Sequence, residues 1–371
     1  MDQKTQPREA GAQQAGSHLF RPIAFRSVTA RNRIMVSPMC QYSATDGVPN
    51  DWHFQHLASR AVGGAGIVMT EATNVEARGR ITPYCTGLWN DEQRDAFARI
   101  VRFVKAQGAV AGIQLGHAGR KGSSARPREG GKGLAPAQGG WQVIAPSAIP
   151  FGEDHPVPQE MDEKAIAATV ALFAAAARRA REAGFDVVEL HGAHGYLIST
   201  FLSPVTNQRN DRYGGSFDNR VRFLLEVVDA VRTEWPDDKP LFVRISCSDW
   251  IDGGWDIDSS VRLAQVLKAG GQVDLIDCSS GAVDPRQKVK AYPGYQVPFS
   301  AAIRSRTGIA TGAVGMISSP DMAEQILASG EADLIIMARA LLNDPYWPLH
   351  AAKALKAKTP WPKQYERGDI F

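Results

Sequence analysis

Short apolar, β-branched runs alternate with longer segments of helical spacing along most of the chain. The runs that read as strands are Asn32–Met39 (NRIMVSPM), Gly66–Ala72 (GIVMTEA), Ala109–His117 (AVAGIQLGH) and Asp186–His194 (DVVELHGAH). Leu241–Cys247 (LFVRISC), Asp274–Ser280 (DLIDCSS), Gly308–Gly315 (GIATGAVG) and Asp333–Leu341 (DLIIMARAL) complete the set. Nearly unbroken apolar runs indicate strands covered on both faces, as in parallel sheets. Between them, Ile166, Val170, Phe173 and Ala177 recur at helical spacing, and Gly184 is placed to end that helix. Val221, Leu224, Val228 and Val231 do the same, with Ser216 as N-cap and Pro236 beyond the end. Ser319 before Pro320 reads as a cap followed by proline at the first helical position. About eight such alternations predict an α/β fold, a single (β/α)8 TIM barrel. A doubly wound sheet competes, but it would normally carry a Gly-x-Gly-x-x-Gly turn after its first strand, and none is there.

One stretch breaks the rhythm. Gly122–Pro150, rich in Gly, Pro and Ser, is too long for an ordinary connection after the third strand. On a barrel it reads as a capping excursion over the face where loops follow strands, the alternative being a tolerated surface insertion. Met1–Ser17 is polar without an apolar core, so it reads as a disordered tail rather than a secretory signal. Residues 18–371 then form the barrel and its C-terminal tail.

Composition narrows the classes. At 371 residues with 44% hydrophobic content, the chain can bury a large core as one barrel. A net charge of +3 with no dense Lys/Arg run gives no reason to expect nucleic acid or an anionic membrane as partner. No run of about 18 apolar residues is present, so no membrane span is expected. Cys40, Cys85, Cys247 and Cys278 form no Cys-x-x-Cys pair, which fits a reducing, cytoplasmic setting without a disulfide framework.

Chemistry on a barrel gathers at the C-terminal strand ends. Those ends offer Pro38, Met39 and Cys40; Glu71 and Ala72; Gln114 and His117; His191, His194 and Tyr196; Arg244; Ser279; Gly312 and Gly315; Ala338 and Arg339. His191 and His194 admit three readings: a metal site, satisfied core histidines, or neutral donors that grip a substrate oxygen. The first lacks further ligands, since the neighbouring ends supply Gln, Arg and Gly; no metal is expected. In the third, Tyr196 is placed to deliver a proton to a carbanion-like carbon. Ala310–Gly315 and Met337–Leu341 supply backbone amides and Arg339 after strands seven and eight, where barrels bind phosphate.

NRIMVSPMCQYSATDG, GIQLGHAGRK, HGAHGYLISTFLSPVTNQRNDRYGGSFDNR, FVRISCSDW, IDCSSG, ATGAVG and the C-terminal QYERG follow one another in this order. With these segments the chain, over residues 18–371, resembles the Old Yellow Enzyme family of FMN-dependent ene-reductases. The likeness is to its thermophilic-like branch, which includes xenobiotic reductases. The resemblance implies FMN at the mouth of the barrel, contacted by Ser37, Pro38, Met39, Cys40, Ala72, Gln114 and Arg244. It implies Gly312, Gly315, Ala338 and Arg339 in the cofactor and phosphate region. Many relatives have glycine where this chain has Ala338, but a backbone amide survives that change. Cys40 matches a cysteine that tunes the flavin, and Tyr42 a substrate-contacting tyrosine. His191 and His194 match the pair that holds the substrate oxygen, with His/Asn in another branch, and Tyr196 matches the proton donor. Arg367 matches an arginine that reaches the active site of a neighbouring subunit, implying a homodimer or a dimer-built tetramer.

The implied reaction has two halves. NADPH or NADH reduces FMN, which passes hydride to the β-carbon of an α,β-unsaturated carbonyl compound, and Tyr196 or water protonates the α-carbon. Three rivals stand beside it: a dienoyl-CoA-reductase type, expected to carry a cysteine cluster and second nucleotide domain; a metal-dependent barrel hydrolase; and a non-catalytic flavin-binding barrel.

Overall fold

The computed structural model describes residues 16–369, so the tail expected over residues 1–17 lies almost wholly outside the described residues. Ser17 is held: its Oγ donates to Glu324 Oε2 at 2.6 Å, and the His18 amide donates to Glu324 Oε1 at 2.7 Å.

Eight parallel strands close into a barrel. They are β1 (Ile34–Val36), β2 (Ile67–Asn74), β3 (Val110–Gly116), β4 (Val187–Gly192), β5 (Leu241–Ser246), β6 (Leu275–Ser279), β7 (Ala310–Ala313) and β8 (Leu334–Met337). Each pairs with the next, and β8 returns to β1 through Ile335–Ile34 and Ile336–Met35. Closure rules out the doubly wound sheet. Each strand is followed by a helix: α1 (Asp51–Val62), α2 (Asp91–Ala106), α3 (Glu163–Glu182), α4 (Phe217–Glu234), α5 (Ile257–Gly270), α6 (Val297–Thr307), α7 (Pro320–Ala328) and α8 (Trp347–Ala354).

The apolar runs are buried twice over. One alternate set, including Val36, Val68, Ile113, Val188 and Val243, packs outward against the helices. The other set, including Met35, Met69, Val187, Phe242, Leu275 and Ile336, fills the lower barrel. A hairpin that periodicity did not predict, Ile23–Phe25 with Val28–Ala30, plugs the bottom, and Phe25 meets Phe242 edge-on at 5.0 Å. Its three-residue strands are too short to show alternation.

The helix ends follow local chemistry. Ser216 accepts from the Asn219 amide and Ser319 from the Met322 amide, as expected. Gly184 follows the end of α3 at φ +90. Met337–Leu341 departs from expectation: the strand stops at Met337, and Arg339–Asn343 forms a short helix.

The excursion between β3 and α3 carries short helical turns at Pro127–Glu129 and Pro136–Gln138 and a two-residue parallel bridge, Ile144–Ala145 with Gln159–Glu160. It is tied down. The buried Arg120 guanidinium donates to the carbonyls of Ile149, Pro150 and Val283, joining the excursion to the loop after β6. Trp141 Nε1 donates to the Arg78 carbonyl at 2.8 Å, joining it to the loop after β2. Both anchors belong to loops that follow strands, so the excursion borders the mouth.

Candidate active site at the barrel mouth

β4 ends in a tight left-handed turn. His194 sits at φ +61 and Gly195 at φ +72, a pair of left-handed residues that lifts both side chains of the His-x-x-His segment into one space. A Cβ on Gly195 would stand 2.5 Å from the Ala282 carbonyl oxygen and 2.8 Å from Val283 Cα, both backbone atoms. Gly195→Ala is therefore expected to cost about 1–3 kcal/mol of stability and to lower bound flavin, read by thermal unfolding and visible absorbance. A melt and flavin content equal to those of the parent would contradict this account of the turn.

The turn brings His191, His194 and Tyr196 together. The imidazoles are 5.2 Å apart and perpendicular, and the Tyr196 ring is 4.8 Å from His191. His191 Nδ1 accepts from the Ala193 amide at 3.3 Å, which leaves the ring proton on Nε2. His194 Nε2 lies 2.7 Å from Ser279 Oγ, and the His194 amide donates to Ser246 Oγ at 2.9 Å. Burial, then the Arg244 charge, hold both imidazoles well below their usual pKa, so they are neutral near pH 7. Burial pushes the Tyr196 phenol well above its usual value, with Cys40 and Tyr42 adding to the effect, so it keeps its proton.

Beside them lies the segment after β1. Tyr42 adopts φ +52, and its hydroxyl pairs with the Cys40 thiol. Burial and the nearby Glu71 carboxylate keep Cys40 protonated. Gln41 N donates to Glu71 Oε2 at 3.1 Å, pinning this segment to β2. A register shift between Met69 and Ala72 sets Ala72 opposite Gln114 of β3. Ser37 Oγ accepts from Arg244 Nη1 at 3.2 Å. Ser37, Pro38, Met39, Cys40, Ala72, Gln114, Arg244 and the His/His/Tyr set thus belong to one mouth.

A cavity of about 400 Å³ opens there, lined by Arg244, Ser279, Gln296, Gly315, Ala338 and Arg339 among others. That volume is in the range of ligand sites. Gly315 has φ +131, and a Cβ on it would sit 3.2 Å from Gln296 Nε2, so the chain approaches the cavity as bare backbone. Arg339 carries an exposed guanidinium at the rim with no hydrogen-bond or ion-pair partner among the described residues. This donor-rich end suits a phosphate, while Arg244 and Gln114 suit a polar heterocycle edge. The residues present therefore fit FMN.

Gly312 falls elsewhere, and Arg367 was expected only across a subunit contact. Gly312 lies within β7, opposite Asp277, where a Cβ would be 2.4 Å from Ile336 Cδ1. It makes room for Ile336 in the barrel and does not line the cavity. Arg367 is exposed on the tail, in the short helical turn Lys363–Gly368. The preceding tail residues line a cleft with Arg31 and Gln107 at the opposite end of the barrel, so Arg367 does not join the mouth of its own chain.

Sequence reasoning missed Lys121. Its Nζ donates to the carbonyls of His194 and Ala282, each at 3.0 Å, and stands 5.2 Å over the Tyr196 ring. Burial, then Arg120, lower its pKa to about 8. It cements the β4 turn to the β6 loop, and it follows β3 by five residues, too far for a strand-end search to reach. No three His, Cys, Asp or Glu side chains among the described residues converge to hold a metal ion.

A closed parallel barrel with a polar, phosphate-suited mouth and neutral imidazole donors has the make-up of a cofactor-binding barrel enzyme. A profile of the NADH:flavin oxidoreductase / NADH oxidase family matches residues 18–358. An NADPH dehydrogenase from a Geobacillus species (strain WCH70) is 50% identical over 355 residues, covering 95% of this chain and 99% of that one. The old yellow enzyme homologue from Zymomonas mobilis superposes with a TM-score of 0.76 at 29% identity, covering 92% of this chain and 94% of that one. Morphinone reductase in complex with tetrahydroNAD gives 0.74 at 27% identity, covering 94% and 93%. The chain belongs to the NADH:flavin oxidoreductase / NADH oxidase family, that of the Old Yellow Enzymes. It is a flavin oxidoreductase with FMN as cofactor and a reduced nicotinamide as electron source. No helix among the described residues is long and apolar enough to cross a membrane.

Proposed function

We propose that this protein is an NADPH-dependent ene-reductase acting on α,β-unsaturated carbonyl compounds. The observation that carries the proposal is the neutral His191/His194 pair beside a protonated Tyr196 at the mouth. Bound FMN would supply the hydride chemistry between nicotinamide and alkene. Gln114 and Arg244 would hold the pyrimidine edge of its ring, with Ser37, Pro38, Met39, Cys40 and Ala72 along the ring. Gly315, Ala338 and Arg339 would hold its phosphate.

The remaining work belongs to the protein. His191 Nε2–H and the His194 ring donate to the substrate carbonyl oxygen and stabilise the negative charge that develops there. Neutral imidazoles suit this role because they remain donors without displacing Lys121 or Arg244 by repulsion. Tyr196 O–H gives its proton to the α-carbon. Tyr42 and Cys40 shape the opposite wall. NADPH is the proposed reductant because the curated relatives are named NADPH dehydrogenases. The four thiols, none in a disulfide, fit a cytoplasmic protein. Arg367, exposed and remote from its own mouth, fits a role across a subunit contact in a homodimer or dimer-built tetramer, which molar-mass measurement in solution checks directly.

The decisive experiment is anaerobic titration of the yellow protein with NADPH and then cyclohexenone, following the flavin band. Bleaching by the first and recovery with the second are expected; bleaching without recovery refutes the ene-reductase reading. Tyr196→Phe should slow the recovery by about 10²-fold and leave bleaching unchanged. Equal effects on both halves would assign Tyr196 to flavin positioning instead.

A further inference from the structure

Between the apolar lower barrel and the mouth lies a layer of polar side chains from four consecutive strands. Gln114 of β3, Glu189 of β4, Arg244 of β5 and Asp277 of β6 are all buried, the two acids fully. Gln114 Nε2 donates to Glu189 Oε1 at 2.8 Å. Arg244 Nε lies 3.1 Å from Asp277 Oδ2 without the alignment of a hydrogen bond, while Nη1 reaches Ser37 Oγ just after β1. Glu189 Oε2 and Asp277 Oδ1 are buried with no hydrogen-bond partner.

The layer therefore holds two carboxyl groups and one cation. Two carboxylates beside one guanidinium would leave a net negative charge in apolar surroundings. Buried like-charged acids relieve this by keeping a proton. Burial raises both acids; Asp277 lies 3.1 Å from the guanidinium while Glu189 has only the Gln114 amide, so Glu189 is the group that keeps the proton. The neighbouring titratable groups do not compensate. His191 and His194 above are kept neutral, and burial raises the Cys278 thiol on β6. Lys121 is spent on two carbonyls further up.

We propose that Glu189 and Asp277 are a carboxyl pair sharing one proton, which positions Gln114 and Arg244 and sets the charge they present to the flavin. This rests on the reading of Gln114 and Arg244 as flavin contacts. Loss of the Glu189 proton to solvent turns a neutral layer into one with a net negative charge behind the pyrimidine edge. Anionic reduced flavin is then held less well, and the flavin becomes harder to reduce. Neither acid touches the reacting atoms; both are positioning residues.

The test is spectroelectrochemical titration of the FMN-loaded protein, Glu189→Gln and Asp277→Asn between about pH 6 and about pH 9. The parent and Glu189→Gln should coincide at the low end and diverge at the high end, the parent having the lower potential. A tenfold change in the ratio of reduced to oxidised flavin affinity, about 30 mV for two electrons, is expected. In Asp277→Asn the bend should move to lower pH, because Glu189 loses its repelling neighbour. Curves for parent and Glu189→Gln that run parallel throughout overturn the proposal. Infrared difference spectra of the parent protein need no variant to fold: a protonated-carboxyl band should vanish as pH rises, and its absence at every pH also overturns it. Failure to bind FMN, or of NADPH to reduce it, sinks the functional reading instead and leaves the infrared result standing.

Discussion

Replacing His191 with alanine is expected to slow reduction of an unsaturated ketone by about 10²–10³-fold, while NADPH bleaches the flavin at nearly its original rate. The separation follows from where the imidazole sits. It is buried, its Nδ1 is occupied by the Ala193 amide, and only Nε2–H is left to give. On the proposed mechanism that proton is used when charge appears on the substrate oxygen, and nicotinamide oxidation places no charge there. A buried donor in a desolvated site has no water to replace it, so the loss is close to that of an oxyanion-hole donor. The pH dependence has a definite sign. Because burial and Arg244 depress both imidazoles, lowering the pH through about 6.5, where a free histidine gains its proton, should not reduce the rate of alkene reduction. Stopped-flow measurement of each half separately decides this; equal slowing of both halves by His191→Ala would contradict the role given to it.

The second large effect concerns Arg244. Arg244→Met should abolish retention of FMN through purification and destabilise the fold by about 3–5 kcal/mol, since it strands buried acids without their cation. Arg244 is the link between the mouth and the layer beneath: it lines the cavity, reaches Ser37, and faces Asp277. Combining Arg244→Met with Glu189→Gln and Asp277→Asn should recover most of the lost stability, because an uncharged layer no longer needs compensation. Flavin affinity should not return, as the donor to the ring remains absent. Thermal melts report the first and flavin content the second. A single variant that melts normally and stays yellow would remove Arg244 from both roles.

Much of the site was legible because strand ends on a barrel are fixed by the runs themselves. Once Asp186–His194 and Leu241–Cys247 are strands of one parallel barrel, His191, His194 and Arg244 must come to the same face, and they do. Gly312 misled because it shares the Ala310–Gly315 segment with Gly315; only the strand register shows it facing Ile336. The polar layer left a trace that parity could have read. Val187, Glu189 and His191 alternate on one side of β4, Phe242, Arg244 and Ser246 on one side of β5, and Leu275, Asp277 and Ser279 on one side of β6. In each strand the inward series passes from apolar to polar toward the mouth, which marks where the plug ends and the ligand space begins.

The sequence by itself determined the alternation of strand and helix, the caps, and the types of residue at each strand end, because these depend on periodicity and local backbone chemistry. Only the tertiary structure decided that Lys121 braces the β4 turn, that Arg367 lies far from its own mouth, and that Glu189 and Asp277 face one arginine. Those relations join residues distant along the chain, and their energies arise from shared burial, which no local pattern encodes.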